Sequence, residues 1–213
     1  TLYVGDKITS GVNIEENYTK IANNDSSYYY ILGSGAPKAY VDSRMKTRSW
    51  VEGEKMQAET EEDILADADG ILVPGGFGDR GIEGMVRAAG YARRNNIPYL
   101  GICLGMQIAV IEYARHVAGL ENANSHEFDE QSPYQVIHYM PDQNDDIDKG
   151  GTLRLGSYPC EIQSGSTMQR CYGTTHIDER HRHRYEFNND YRQPLQKAGL
   201  TLSGVSPDGR LVE

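Results

Sequence analysis

The strongest signal in the chain is the nonapeptide Ile97-Pro98-Tyr99-Leu100-Gly101-Ile102-Cys103-Leu104-Gly105. A short apolar run leads into its Gly-x-Cys-x-Gly end, and an amphipathic segment from Leu104 to Ala118 leads out of it. This pattern is typical of the sharp strand-to-helix turn that presents a nucleophile. A cysteine in that turn lies at a helix N-terminus, where the helix dipole favours the reactive thiolate. We therefore predict that Cys103 is a nucleophile rather than a small buried hydrophobic residue.

The segments around this turn predict an α/β fold. Ile71–Val73 reads as a strand, 82–94 as a helix, 97–102 as a second strand and 104–118 as a second helix. This order, with short connections, predicts parallel strands in an open, mostly parallel sheet flanked by helices. Both glycine-rich turns then follow the carboxyl ends of their strands, which is the sheet edge where ligands bind in such folds.

The remaining elements are predicted from weaker patterns. Strands are expected at 2–4, 39–41 and 134–140, a helix within 59–68, and an acidic loop at 141–151. Two hairpins are expected, one over 152–162 turning at Gly156-Ser157 and one over 201–212 turning at 206–209. No repeat or low-complexity linker interrupts the sequence, so a single domain over residues 1–213 is predicted.

The loop Gly75-Gly76-Phe77-Gly78 ends the first strand. It is not a phosphate-binding loop, because no Gly-Lys-Ser/Thr follows it. Its backbone N–H groups are instead predicted to face the Cys103 sulfur and to stabilise an oxyanion, with the Leu104 N–H as the second donor.

Composition and charge exclude several classes of protein. The 213 residues carry a formal net charge of −10, which argues against a nucleic-acid binder. No apolar run is long enough for a membrane span, and three scattered cysteines suit a reducing, cytoplasmic setting. We expect no metal site, because His181 and His183 offer only two ligands and the acidic 142–148 segment lacks the EF-hand glycine and glutamate.

Four segments together carry a resemblance to a known family. They are residues 71–81 (ILVPGGFGDRG), 96–107 (NIPYLGICLGMQ), 122–128 (NANSHEF) and 179–186 (ERHRHRYE). The chain resembles the class I glutamine amidotransferase domain of the CTP synthase family, which implies a flavodoxin-like fold with a β-hairpin addition. The basic 180–186 run narrows the resemblance to CTP synthase. The match is strong from about 63 to 189, and residues 1–60 match poorly.

The resemblance implies a role for individual residues. Cys103 matches the nucleophile that attacks the glutamine side-chain amide and forms a glutamyl thioester. Gly76 and Leu104 match the oxyanion hole. The implied glutamine-binding residues are Gly76, Phe77, Leu104, Gln107, Glu127 and Arg184. The charges agree with this, since Glu127 suits the α-ammonium group of glutamine and Arg184 suits its α-carboxylate.

The resemblance also implies partners. L-Glutamine is the expected substrate, and the ammonia would pass to a synthetase domain in cis that uses ATP to convert UTP to CTP. No cofactor is expected in this domain, and ATP and Mg²⁺ are expected only for the synthetase domain. No nucleic-acid or membrane partner is expected.

One departure from the family concerns the general base. The family's His-x-Glu pair follows the strand that 211–213 begins, so no catalytic histidine–glutamate pair is expected in this sequence and turnover is expected to be impaired. His176-Ile177-Asp178 has similar spacing and is the candidate substitute.

Two alternative functions stay open. One is a peptidase like the gamma-glutamyl hydrolases, which share the nucleophile turn and the thiol chemistry. The other is a domain that binds glutamine or a partner without catalysis. The segment around Arg184 argues against the hydrolase alternative, and glutamine binding without product formation would favour the non-catalytic one.

Overall fold

The chain divides into two compact units, Thr1–Val51 and Glu52–Glu213. The computed structural model describes residues 2–4, 30–32, 51, 53–54, 60–66, 68–76, 78–139 and 154–212. In the first unit, strand β1 (Leu2–Val4) pairs antiparallel with β2 (Tyr30–Leu32), which confirms the strand predicted at 2–4. The predicted strand at 39–41 and the acidic loop at 141–151 lie outside the described residues. The single domain over 1–213 stays a prediction.

The second unit contains the predicted strand–helix–strand–helix series. After a short helix α1 (Glu61–Leu65), the series is β3 (Ile71–Val73), α2 (Ile82–Arg94), β4 (Tyr99–Gly101) and α3 (Leu104–His116). Strands β3 and β4 are parallel, with Ile71 opposite Tyr99 and Val73 opposite Gly101. The prediction of parallel strands at the nucleophile turn is confirmed.

Strand β4 is shorter than predicted because its first residues have other roles. The Ile97 N–H donates to the Ala92 carbonyl at the end of α2, 2.9 Å away. Pro98 has no N–H to give to a strand ladder, although its carbonyl accepts from Ile71 at 2.8 Å. The strand therefore begins at Tyr99.

The hydrophobic core lies between α2, α3 and the strands on which they pack. Ile108, Ile111 and Ala114 of α3 are completely buried. They form the apolar stripe predicted for this helix, and Val86 and Ala89 of α2 belong to the same cluster. Burial of this stripe fixes the rotation of α3 and therefore the direction in which its first turn faces.

A second group of strands follows α3. Strand β5 (Asn124–Ser125) pairs parallel with β6 (Gln135–Tyr139), and β6 pairs antiparallel with β9 (Tyr185–Phe187). Two parallel pairs and helices on open sheets confirm the α/β class. None of the helices among the described residues is both long and apolar enough to cross a bilayer.

The hairpin predicted over 152–162 is wrong. Arg154–Ile162 forms one continuous strand, β7, whose antiparallel partner is β8 (His176–His183). Gly156 has a φ of 116°, yet it remains in the ladder opposite His181 and makes no turn. The pairing with β8 extends over the full length of that strand, whereas a turn at Gly156 would leave only short arms.

The last elements complete the second unit. They are α4 (Thr167–Tyr172), a 3₁₀ turn at Asn189–Tyr191, α5 (Arg192–Lys197) and β10 (Gly204–Val205). The turn predicted at 206–209 is confirmed, because the Gly209 N–H donates to the Ser206 carbonyl at 2.7 Å. Val205 and Val212 then form an antiparallel bridge, and β10 itself pairs with β7.

Candidate active site

Cys103 occupies the turn between β4 and α3, as predicted. Its φ of 54° and ψ of −107° lie outside the regions that a residue with a side chain normally adopts. The turn is held from both sides, since Ile102 donates to the Val73 carbonyl at 3.0 Å and Gly105 donates to the Ile102 carbonyl at 2.9 Å. Strain of this kind persists only where the surrounding structure enforces it, and it is concentrated at functional sites.

Close packing explains the two glycines that flank the cysteine. A Cβ atom at position 105 would lie 2.0 Å from the Val73 carbonyl oxygen. A Cβ atom at position 101 would lie 2.4 Å from the Gly105 carbonyl oxygen. The Tyr99 hydroxyl donates to that same Gly105 carbonyl at 2.8 Å, and burial raises the pKa of Tyr99, which keeps the phenol protonated as the donor. Side chains at 101 and 105 are therefore excluded by the approach of β3 and β4 to α3.

The glycine-rich loop after β3 lies against the nucleophile. A Cβ atom at Gly75 would be 3.3 Å from the Cβ of Cys103, and one at Gly76 would be 3.1 Å from a methyl carbon of Leu104. Leu104 is the first residue of α3, so its N–H has no acceptor within the helix. The predicted oxyanion-hole residues Gly76 and Leu104 are thus neighbours beside Cys103. Phe77 lies outside the described residues.

His183 is the titratable group that the structure brings to Cys103. Burial alone would lower the pKa of His183, but the neighbouring Cys103 and Glu186 side chains together raise it to about 10. His183 Nδ1 lies 3.6 Å from Glu186 Oε1, and the Glu186 side chain is only 4% exposed. His183 is consequently an imidazolium at neutral pH, held between a thiol and a carboxylate.

The alternation of β8 explains how His183 reaches this position. Ile177, Glu179 and His181 are more buried than Asp178 and Arg180, and His183 continues their alternation, so these four residues share the inner face of the strand. His181 Nδ1 lies 3.4 Å from His183 Nδ1. His176 is at the other end of the strand on the outer face, where its side chain is 70% exposed and its Nε2 lies 3.3 Å from Glu161. The structure therefore brings His183, and not the candidate substitute His176, to the cysteine.

The residues predicted to hold glutamine are anchored around the same turn. The Gln107 side chain is buried and its Nε2 donates to the Tyr185 carbonyl at 3.0 Å. Glu127 Oε1 accepts a hydrogen bond from the Gly78 N–H at 3.1 Å, which ties it to the glycine-rich loop. Arg184 directly follows His183 and donates from Nη2 to the Tyr139 hydroxyl at 3.1 Å.

Sequence reasoning missed the contribution of His183, Glu186 and Tyr139. The alternation of large polar residues through 176–183 and the His-x-x-Glu spacing of His183 and Glu186 were signals of a strand with a functional face. Tyr139 belongs to no sequence motif. It reaches Arg184 only because β6 pairs antiparallel with β9.

Among the residues that the structure describes, no group of three or more His, Cys, Asp or Glu side chains is arranged to hold a metal ion. The prediction of no metal site stays a prediction for the rest of the chain.

A cavity of about 560 Å³ lies beside this site. Residues of β6, β9 and the turn after β9 line it, among them His138, Tyr139, Glu186 and Asn188. Cys103 is not among its described lining residues. Glu186, which pairs with His183, and Tyr139, which pairs with Arg184, do line the cavity, so the cavity adjoins the site.

Comparison with known proteins identifies similar sequences. The family described as "Glutamine amidotransferase class-I" matches residues 20–213. A CTP synthase from Caldanaerobacter subterraneus subsp. tengcongensis is 60% identical over 164 residues, which cover 77% of this chain and 30% of that protein. A CTP synthase from Dehalococcoides mccartyi is 52% identical over 187 residues, which cover 88% of this chain and 34% of that protein. The chain thus spans about a third of the length of these relatives.

A solved structure is similar as well. It is the Trypanosoma brucei CTPS glutaminase domain with bound acivicin, with a TM-score of 0.71 and 43% sequence identity. The similarity covers 78% of this chain and 65% of that chain. At this level of identity the likeness extends to sequence as well as fold.

Proposed function

The chain belongs to the class-I glutamine amidotransferase family, and on that premise we propose that Cys103 attacks the side-chain amide of L-glutamine and releases ammonia. The observation that carries the proposal is the position of Cys103. It lies in a strained strand-to-helix turn with Gly76 and Leu104 beside it. That arrangement offers a nucleophile and two backbone donors at one point, which is what acyl transfer from an amide requires.

The proposed reaction has two halves. The Cys103 sulfur bonds to the amide carbon, and the carbonyl oxygen becomes an oxyanion that accepts from the Gly76 and Leu104 N–H groups. Collapse of this intermediate breaks the carbon–nitrogen bond, so that a glutamyl thioester remains and the nitrogen departs as ammonia after gaining a proton. Water then cleaves the thioester to give glutamate and the free thiol.

His183 is the proposed partner of the sulfur. As an imidazolium it stabilises the thiolate before attack, and it can supply the proton that the departing nitrogen needs. Glu186 keeps the imidazole oriented and charged from the other side. The absence of the family's His-x-Glu pair from this sequence stays a prediction, and His183 with Glu186 is a separate pair in the described structure.

The proposed binding mode uses two opposite charges. Glu127, anchored to Gly78, faces the α-ammonium group of glutamine, and Arg184 faces the α-carboxylate. Gln107 helps to hold the segment that carries Arg184, because its side chain donates to the carbonyl of the next residue, Tyr185. Two fixed charges of opposite sign select an α-amino acid zwitterion and disfavour a simple amide.

Labelling of Cys103 tests this function. Acivicin is an amino-acid electrophile, and mass spectrometry should find its adduct on Cys103 and not on the exposed Cys171. L-Glutamine should protect Cys103, and Cys103→Ser should take no adduct. Failure of wild-type Cys103 to react with acivicin would overturn the proposal. An adduct without ammonia release from glutamine would favour a glutamine-binding domain without turnover.

We further propose that the ammonia serves the conversion of UTP to CTP. The similarity to CTP synthases at 60% and 52% identity supports this step. ATP and Mg²⁺ would act in a synthetase domain of the longer protein. The test is CTP formation from UTP and ATP by a longer protein that contains both regions, with glutamine or with ammonium as nitrogen source. Cys103→Ser should abolish the glutamine-dependent rate and retain the ammonium-dependent rate.

A further inference from the structure

A group of stacked aromatic rings holds the Arg184 guanidinium. Its carbon Cζ lies 5.4 Å from the centroid of the Tyr139 ring and 5.6 Å from that of the Tyr185 ring. The two tyrosine rings are stacked, with centroids 4.7 Å apart and planes 28° from parallel. The His126 ring packs against Tyr139 at 5.1 Å. A guanidinium held this way loses little conformational freedom when it binds an anion.

The Tyr139 hydroxyl accepts two hydrogen bonds, which leaves its own proton free to be donated. Arg184 Nη2 and the Tyr185 hydroxyl both donate to Tyr139 Oη, each at 3.1 Å. Burial, followed by the bond to Tyr139, raises the pKa of Tyr185, so that phenol stays protonated and able to donate. A phenol oxygen accepts two hydrogen bonds and has one proton of its own. Within the described part of the chain, no acceptor is found for the Tyr139 proton.

Arg184 and Tyr185, the two donors to the Tyr139 hydroxyl, belong to the same chain segment as His183. Arg184 directly follows His183, the neighbour of Cys103. The Tyr185 backbone carbonyl accepts a hydrogen bond from the side chain of Gln107, which lies one turn after Cys103 on α3. Accepting from a cation also polarises the Tyr139 hydroxyl and makes it a stronger donor to an anion.

We propose that Tyr139 and Arg184 together form a clamp for the substrate α-carboxylate, in which Tyr139 Oη–H donates to one carboxylate oxygen and Arg184 donates to the carboxylate from its guanidinium. This inference rests on the proposed function, since it concerns the same substrate. It adds Tyr139 as a specificity-determining residue that no sequence motif indicates. The clamp selects a charged carboxylate over the corresponding neutral amide.

Two reagents with the same target test the clamp. Acivicin and iodoacetamide are both expected to modify Cys103. Only acivicin carries an α-carboxylate, so only acivicin should use the clamp. Tyr139→Phe keeps the ring and removes the hydroxyl. It should lower the rate constant for acivicin labelling about tenfold, which corresponds to one hydrogen bond to a charged group, and change the iodoacetamide rate less than about twofold. Tyr113→Phe is the matched control, because it removes a phenol bonded at 2.8 Å to the Ala198 carbonyl, remote from the clamp.

Protection experiments separate recognition from support of the fold. The concentration of L-glutamine that half-protects Cys103 should rise about tenfold in Tyr139→Phe, while that of the α-amide of glutamine should rise clearly less, because a neutral carbonyl oxygen accepts a weaker hydrogen bond than a carboxylate does. Equal losses with both ligands would overturn the clamp, as would an unchanged acivicin rate. Failure of the proposed function is visible separately, because wild-type Cys103 would then neither react with acivicin nor be protected by glutamine.

Discussion

The imidazole of His183, at the end of β8, neighbours the thiol of Cys103, at the start of α3, and this sulfur helps to raise the pKa of the imidazole. The positive charge that Glu186 maintains on this imidazole lies beside the sulfur. A nearby cation favours the thiolate, in addition to any effect of the helix N-terminus. The reactivity of Cys103 should therefore depend on His183.

Replacement of His183 should slow the alkylation of Cys103. His183→Asn removes the cation and retains a polar side chain of similar size. We expect the iodoacetamide rate constant at about pH 7.5 to fall about tenfold, because the sulfur loses its neighbouring cation. The measurement is the rate of adduct formation followed by mass spectrometry over a range of pH.

The matched control is His176→Asn on the outer face of the same strand, where the side chain is 70% exposed. That variant should react at the wild-type rate. A His183→Asn protein that is folded by circular dichroism and alkylates as fast as wild type would contradict the pairing.

The raised pKa of His183 predicts a pH dependence of stability. A histidine whose pKa in the folded state is about 10, against about 6.5 when unfolded, stabilises the fold fully below pH 6.5. The contribution is lost as the pH rises through about 10, and it is no larger than about 5 kcal/mol. The groups that face this imidazole are Cys103, His181 and Glu186.

NMR titration of the imidazoles measures this directly. The His183 signal should still report the protonated ring at about pH 8, where ordinary histidines are neutral. In Glu186→Gln the midpoint should move to lower pH, and the difference in unfolding free energy between wild type and variant should shrink toward high pH. A His183 midpoint near about 6.5, the usual value for histidine, would contradict the prediction.

The elements that the sequence predicted well are those with local signals. Helices α2 and α3 were predicted from apolar residues that recur every three or four positions, a pattern visible within a short stretch of sequence. The turn at Cys103 was predicted from the glycines on both sides of it. The pairing of β7 with β8 could not be read this way, since a strand's partner is distant in sequence. Gly156-Ser157 has the composition of a turn, but its pairing with β8 keeps it extended.

The same distinction applies to the site. Cys103, Gly76 and Leu104 come together through adjacent strand ends, which is a consequence of the fold class and was predicted from it. The contact of His183 with Cys103 and of Tyr139 with Arg184 depends on the register of antiparallel strands. A shift of one residue in either register would turn these side chains to the opposite face.

Glu112 should be important for the packing of α2 on α3. Its side chain is only 3% exposed, and Arg93 donates to it from Nη2 at 2.8 Å and from Nε at 2.9 Å. Glu112→Ala leaves the Arg93 guanidinium, which is 35% exposed, without this partner. We expect a loss of roughly 2–3 kcal/mol in unfolding free energy, below the range for a fully buried pair because Arg93 stays partly hydrated.

Urea unfolding at neutral pH measures this loss. The matched control is Glu83→Ala, which removes a carboxylate that is 55% exposed and lies 2.8 Å from Arg115. That pair is exposed on the carboxylate side, so its loss should cost less than about 1 kcal/mol. Equal costs for the two variants would show that burial of Glu112 does not set the strength of its pairing.

A methyl group at position 105 should disrupt the nucleophile turn. In Gly105→Ala the new Cβ would lie 2.0 Å from the Val73 carbonyl oxygen, a backbone atom that cannot rotate away. Either α3 moves away from β3 or the turn opens, and both changes separate the Leu104 N–H from Gly76. We expect a loss of about 3 kcal/mol or more in unfolding free energy, as for severe overpacking, and loss of acivicin labelling at Cys103.

Gly70→Ala is the control, because its Cβ would meet only the Pro98 carbonyl oxygen at 3.7 Å. It should unfold and react like wild type, whereas a Gly105→Ala protein as stable and as reactive as wild type would show that the close approach of α3 to β3 is not needed for the site.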